Sequence, residues 1–192
     1  MKTKTTRALV TTAMLSAIAA LLMFIDFPVP FMPSFIKMDV SELPALIASF
    51  ALGPVYGVIV CLLKNLINLM RTSTGGVGEM ANFLLGASFV LPAGLIYKKF
   101  KTRKAALWSC IIGSVVMAVL SVPINYFIVY PIYANFMPIE AIIGAYEAIF
   151  SGVNGLLSCL LIFNMPFTLL KGLLTSAITF VIYKRISKLI KG

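Results

Sequence analysis

The chain has 192 residues, 60% hydrophobic and only 11% charged, with a formal net charge of +10 and no histidine. Soluble domains carry about a quarter charged residues, so this composition and a mean hydropathy of +1.02 leave no room for a soluble catalytic domain and indicate a single integral membrane domain. The missing histidine removes the usual proton shuttle and the commonest metal ligand. The positive charge lies in clusters beside apolar runs, not in the aromatic-interleaved basic stripe of a nucleic-acid surface.

The first apolar run, about 8–25, follows Lys2, Lys4 and Arg7 in the manner of a signal peptide. Its weak cleavage-like triplet, Ala17-Ile-Ala19, lies inside the run, so a retained first transmembrane helix is expected. Ala13 and Ala17, beside Thr12, Ser16 and Ala20, place small residues every four positions. Such a smooth face permits close helix approach, within the chain or against another subunit. The segment from Phe27 to Met38 is rich in aromatics and prolines. It is expected either to cover an apolar ligand or to sit in the membrane interface.

Hydropathy alone gives six runs, about 8–25, 42–63, 79–97, 105–130, 140–163 and 166–184. With cytoplasmic termini, that division puts the cluster Lys98-Lys-Phe-Lys-Thr-Arg-Lys104 outside, against the positive-inside rule. Breaking the second run at Gly53-Pro54 repairs the topology, because proline suits the first turn of a new helix. Residues 40–52 then run outward to inward as a short helix of about 20 Å, and 54–71 return outward. The segment 72–78 becomes an outer loop, followed by helices 79–97 and 105–130. Residues 131–165 form a long outer excursion, and 166–188 the last helix. This division makes Lys2/Lys4/Arg7, Lys98–Lys104 and Lys184/Arg185/Lys188/Lys191 cytoplasmic and leaves the six acidic residues near the outer face.

The polar residues inside the apolar runs carry the functional reading. Lys64, Asn65 and Asn68 fall in the outer half of the third helix, able to line a cavity or to pair with Glu42 or Glu79. Glu79 and Asn82 stand three apart behind a Gly-Gly-Val-Gly turn, where Glu79 also suits the helix dipole. The turn is not a phosphate loop, since no Gly-x4-Gly-Lys-Ser/Thr occurs, so ATP hydrolysis by this chain is not expected. Asn125 follows Pro123 near the end of the fifth helix, with Tyr126 beside it; the amide serves as an interhelical bond or as a donor and acceptor for a ligand. Lys171 lies inside the last run, three residues after Thr168. An ammonium there costs roughly 2.5–3.5 kcal/mol at mid-bilayer, so it either snorkels to the interface or meets a partner or ligand. Cys61, Cys110 and Cys159 lie in apolar runs and read as small buried hydrophobes, with no disulfide or metal spacing.

Several segments together resemble a known family. They are Lys37-Met-Asp-Val-Ser-Glu-Leu-Pro-Ala-Leu-Ile47, Ala51-Leu-Gly-Pro-Val-Tyr-Gly57, Gly75-Gly-Val-Gly-Glu-Met-Ala-Asn-Phe-Leu-Leu-Gly86 and Leu169-Leu-Lys-Gly172. They resemble the riboflavin-specific S components of energy-coupling-factor (ECF) vitamin transporters, over nearly the whole chain. The Gly-Pro-x-x-Gly turn is common to many S components; the first and third segments point more narrowly to riboflavin. The resemblance implies an all-α bundle of six transmembrane helices in the bacterial plasma membrane, with both termini cytoplasmic and the substrate site near the outer face. It implies a binding subunit without enzymatic activity or cofactor, with riboflavin as transported ligand. Its partners would be a transmembrane coupling subunit, docking on Ala13 and Ala17, and two cytoplasmic ATPases.

The expected substrate-binding residues are Lys171, Asn125, Thr168, Met38, Asp39, Val40, Glu79, Asn82 and Tyr126. The family carries an Asn-x-x-Lys at the start of the sixth helix, and Thr168 stands where the asparagine belongs. An isoalloxazine is flat, apolar on its faces and polar along one edge, which suits apolar walls with a few amides. No arginine cluster is evident in the outer region, which disfavours a phosphorylated flavin. Thiamine, biotin and pantothenate are the competing ligands within the same family. An intramembrane enzyme lacks histidine and paired acids, and a purely structural subunit leaves Lys171 and the convergent amides without a role.

Overall fold

The computed structural model describes residues 2–72 and 74–191, with side-chain surroundings for 5–72 and 74–182. The side chains of Lys2, Lys4, Lys184, Arg185, Lys188 and Lys191 lie outside the described residues. Helix α1 (Lys2–Phe24) leads into a two-stranded hairpin, β1 (Phe27–Pro28) and β2 (Lys37–Met38), with Phe27 opposite Met38. Helix α2 (Glu42–Ala51) and α3 (Pro54–Asn68) follow, and a 3-10 turn (Leu69–Arg71) extends α3. Helix α4 (Val77–Phe100), α5 (Arg103–Tyr133), α6 (Ile139–Glu147) and α7 (156–191) complete the chain. Helices α1, α3 with its 3-10 turn, α4, α5 and α7 are each long and apolar enough to cross a membrane; α2 is a shorter apolar helix of 10 residues.

Helix α2 is the centre of the bundle. Every residue from Glu42 to Phe50 is buried, and α1, α3, α4 and α7 surround it. A helix apolar on all sides belongs in such a position. Its length is set by Gly53, whose φ of +123° ends the helix and which only glycine adopts without strain. Pro54 then starts α3 at a position needing no N–H. The break expected at Gly53-Pro54 is therefore where the chain turns. The α2–α4 crossing is equally tight. Ser49 Oγ donates to the Val90 carbonyl at 2.8 Å, and a Cβ at Gly94 would collide with that hydroxyl and with Pro54.

The structure moves two expected boundaries, for one physical reason. Helix α5 does not stop at residue 130, and α7 does not start at 166. Each runs through a proline by way of a five-residue π turn, Asn125–Val129 before Tyr130-Pro131 and Leu160–Asn164 before Met165-Pro166. A helical proline lacks its N–H and presses on the carbonyl four residues back. Those carbonyls, of Phe127 and Ile162, fall inside the π turns, which widen the helix there. The expected excursion 131–165 accordingly shrinks to 134–155, with α6 as its one helix.

The C-terminal ends of α1, α3 and α5 meet the N-terminal ends of α2 and α4 and the upper part of α7 at one end of the bundle. Contacts from Arg71 to the Phe24 carbonyl (3.3 Å), Asn68 to Glu79 (2.9 Å) and Lys171 to Asp39 (2.8 Å) tie these ends together. The hairpin covers the same end, with Phe35 set edge-on to Tyr146 of α6 at 5.9 Å.

Candidate functional site

The sequence Met38-Asp-Val-Ser-Glu42 builds the floor of the site at the N-terminus of α2. Asp39 Oδ1 accepts the Ser41 N–H at 2.8 Å and the Ser41 hydroxyl as well. Both Asp39 and Glu42 are favoured there by the helix dipole. Two lysines from other helices neutralise them. Lys64 of α3 donates to Glu42 Oε1 at 2.8 Å, with the two side chains 0% and 1% exposed, and also to Ser41 Oγ. Lys171 of α7 donates to Asp39 Oδ2 at 2.8 Å, and its ammonium stands 3.5 Å from Glu42 Oε2. The four charged groups sum to zero, which is the condition for burying them. Burial by itself would raise the Asp39 carboxyl; the ammonium groups of Lys171 and Lys64 and the hydrogen bonds from Lys171 and Ser41 outweigh it and hold that carboxyl well below the usual range.

Lys171 therefore does not snorkel. Its ammonium is buried in an ion-pair network and also reaches Asn82 Oδ1 at 3.4 Å. Above this floor lies a cavity of about 550 Å³, within the range of small-molecule sites. Asp39, Asn82 and Lys171 line its base, with Glu79 and Asn125. Apolar lining comes from Met23, Phe35, Ile36, Met137, Ile142 and Phe167. A flat, largely apolar molecule with polar groups along its edge matches this lining.

Of the nine residues expected from sequence to hold a substrate, five line the cavity: Asp39, Glu79, Asn82, Asn125 and Lys171. Tyr126 is a correction: one residue on from Asn125, about 100° around the helix, it is absent from the lining, 39% exposed, and packs edge-on against Phe127. Met38, the last residue of β2, is buried, and Thr168 is buried in α7; neither they nor Val40 are among the lining residues. Asn125 uses its amide nitrogen on the Ser121 carbonyl of its own helix, at 2.7 Å.

Glu79 is more than a dipole partner. It accepts from Asn68 Nδ2 at 2.9 Å, Thr72 Oγ1 at 2.9 Å and Thr74 Oγ1 at 3.3 Å, so it clamps the loop between α3 and α4. Asn68 lines the cavity, whereas Asn65 bonds the Cys61 carbonyl at 2.7 Å. Arg71 is the one arginine among the lining residues, so they hold no arginine cluster. Lys37 and Arg71, distant in sequence, both line the cavity, Lys37 paired with Asp26 at 3.0 Å and Arg71 over the Phe24 ring at 5.4 Å.

Tyr130, Tyr133 and Asn164 also line the cavity, and the sequence reading passed over them. In the sequence Asn164 stands in the gap between two apolar runs; the continuous helix Leu156–Ile182 makes it an intramembrane amide, the kind of residue that marks a site by default. Ala13 and Ala17 of α1 lie exposed, while Thr12, Ser16, Ala19 and Ala20 face the bundle.

Comparison with known proteins places this arrangement. Residues 7–183 match the family model of the ECF transporter substrate-specific component. The riboflavin transporter RibU of Staphylococcus aureus (strain TCH60) is 37% identical over 96% of this chain and 93% of its own. The riboflavin transporter FmnP of Bacillus subtilis (strain 168) is 31% identical over 92% of this chain and 90% of its own. A solved S component of a bacterial ECF transporter superposes with a TM-score of 0.77 at 37% identity, covering 98% of this chain and 99% of that one.

Proposed function

The chain belongs to the substrate-specific components of ECF transporters, and on that premise we propose that it is the riboflavin-binding subunit of such a transporter. The observation that carries the reading is the cavity itself: about 550 Å³, apolar-walled, with Asp39, Glu79, Asn82, Asn125 and Lys171 along its lining. Relatives sharing 37% and 31% of its residues over nearly full length are riboflavin transporters. The cavity opens at the end of the bundle opposite the Lys98–Lys104 turn. By the positive-inside rule that turn is cytoplasmic, so the site faces outward and both termini lie inside.

The chain captures the vitamin and leaves ATP hydrolysis to other subunits. Its partners are a transmembrane coupling subunit and two cytoplasmic ATPases. The exposed Ala13 and Ala17 offer the coupling subunit a smooth face on α1. On binding, the Lys171 ammonium turns from Asn82 toward the ligand while keeping Asp39, and the amides of Asn82 and Asn125 meet polar groups on the ring edge. The chain requires no cofactor.

The test is a spectrum of the detergent-purified protein followed by titration with riboflavin, thiamine, biotin and pantothenate in turn. Flavin absorbance in the purified protein, or saturable quenching by riboflavin alone, is the expected result. Binding of a different vitamin in preference would refute the riboflavin assignment and retain the family.

A further inference from the structure

On the reading that the cavity holds a flavin, we propose that Asn164 contacts the ligand, donating one fixed amide N–H to a ring carbonyl oxygen, with Tyr130 and Tyr146 as its positioning residues. The three side chains come from three elements. Tyr130 follows the π turn of α5, Asn164 closes the π turn of α7, and Tyr146 lies on α6. Tyr146 OH donates to Asn164 Oδ1 at 2.7 Å, and Asn164 Nδ2 donates to Tyr130 OH at 3.2 Å. The two phenol oxygens are 2.8 Å apart.

Counting protons closes the ring. A phenol has one proton. That of Tyr146 goes to Asn164, so that of Tyr130 must go to Tyr146. Were the amide turned over, the ring would run in the opposite sense and use the same number of protons. In either sense it consumes one N–H of Asn164 and leaves the second without a partner among the described residues. The amide cannot rotate to spend it elsewhere, because both of its heteroatoms are held. Asn164 and Tyr130 line the cavity, whereas Tyr146 stands behind them with no exposed surface. A buried donor locked in this way is preorganised for an acceptor and loses little freedom when one arrives.

The experiment is fluorescence-quenching titration of the full-length purified protein with riboflavin and with its 2-thio and 4-thio analogues, whose thiocarbonyls accept hydrogen bonds poorly. The wild type should prefer riboflavin over one of the two. Asn164→Leu and Asn164→Asp should weaken riboflavin by roughly ten- to a hundredfold and abolish that preference. Tyr146→Phe keeps the volume but opens the ring, so it should weaken binding less and still blunt the preference. It also carries the test if the Asn164 variants fail to fold. A folded Asn164→Leu protein that binds riboflavin as the wild type does, or a wild type indifferent to both analogues, overturns this proposal and leaves the riboflavin reading intact. A wild type that does not bind riboflavin removes both.

Discussion

Replacing Lys64 by methionine perturbs the central helix at its most enclosed point. The Lys64–Glu42 pair is 2.8 Å long, with side chains 0% and 1% exposed. At an effective dielectric of about 20, two charges at that separation attract by about 6 kcal/mol. Removing one partner strands the other, because Asp39 and Glu42 then share only Lys171. Breaking a buried pair from one side costs about 3–5 kcal/mol. For a chain of this size each kcal/mol moves Tm by about 2–4 °C, so Lys64→Met should lower Tm by about 6–20 °C. Thermal denaturation of the detergent-purified protein, followed by loss of the monodisperse peak, measures this. Adding Glu42→Gln restores neutrality and should recover most of the loss. A single variant as stable as the wild type, or a double variant no better than the single, would mean that charge balance does not hold α2 in place.

Gly94→Ala should destabilise by about 1–3 kcal/mol, since the new methyl meets Ser49 Oγ and Pro54; Ser49→Ala should relieve only the first contact, as Tm of the double variant would reveal. Glu79→Gln weakens the clamp on Thr72 and Thr74, so hydrogen exchange of the loop between α3 and α4 should accelerate while α4 itself stays protected. The Asp39 carboxyl is held below its ordinary value of 3.8. The stability it contributes is present above that unfolded-state value and is lost as pH falls through the folded one. The Tm gap between wild type and Asp39→Asn should therefore be constant above about pH 5 and narrow in stronger acid. A gap that widened on acidification would contradict the sign of the shift.

The break at Gly53-Pro54 was legible because glycine and proline act locally and the basic clusters fix which side each helix end lies on. The convergence of Asp39, Glu79, Asn82, Asn125 and Lys171 followed from the same topology. The partner of Lys171 was not legible: Asp39 lies 132 positions away, and periodicity in either helix gives no sign of the other. Pro131 and Pro166 misled for a related reason. Local chemistry says that a proline ends a helix, but packing of α5 and α7 maintains both through π turns. Tyr126 was avoidable: adjacent residues on a helix point about 100° apart, so with Asn125 toward the cavity its neighbour faces away.

On the proposed function, riboflavin occupies the cavity above the Asp39–Lys171 pair. Ala81 lines that cavity, and Ala81→Trp would occupy it with a bulky ring while leaving every charged residue of the floor unsubstituted. Riboflavin titration of the wild type and of folded Ala81→Trp is the most direct measurement. Saturable, one-to-one quenching in the wild type that disappears in Ala81→Trp is the expected result. Equal binding by both proteins would place the vitamin outside this cavity.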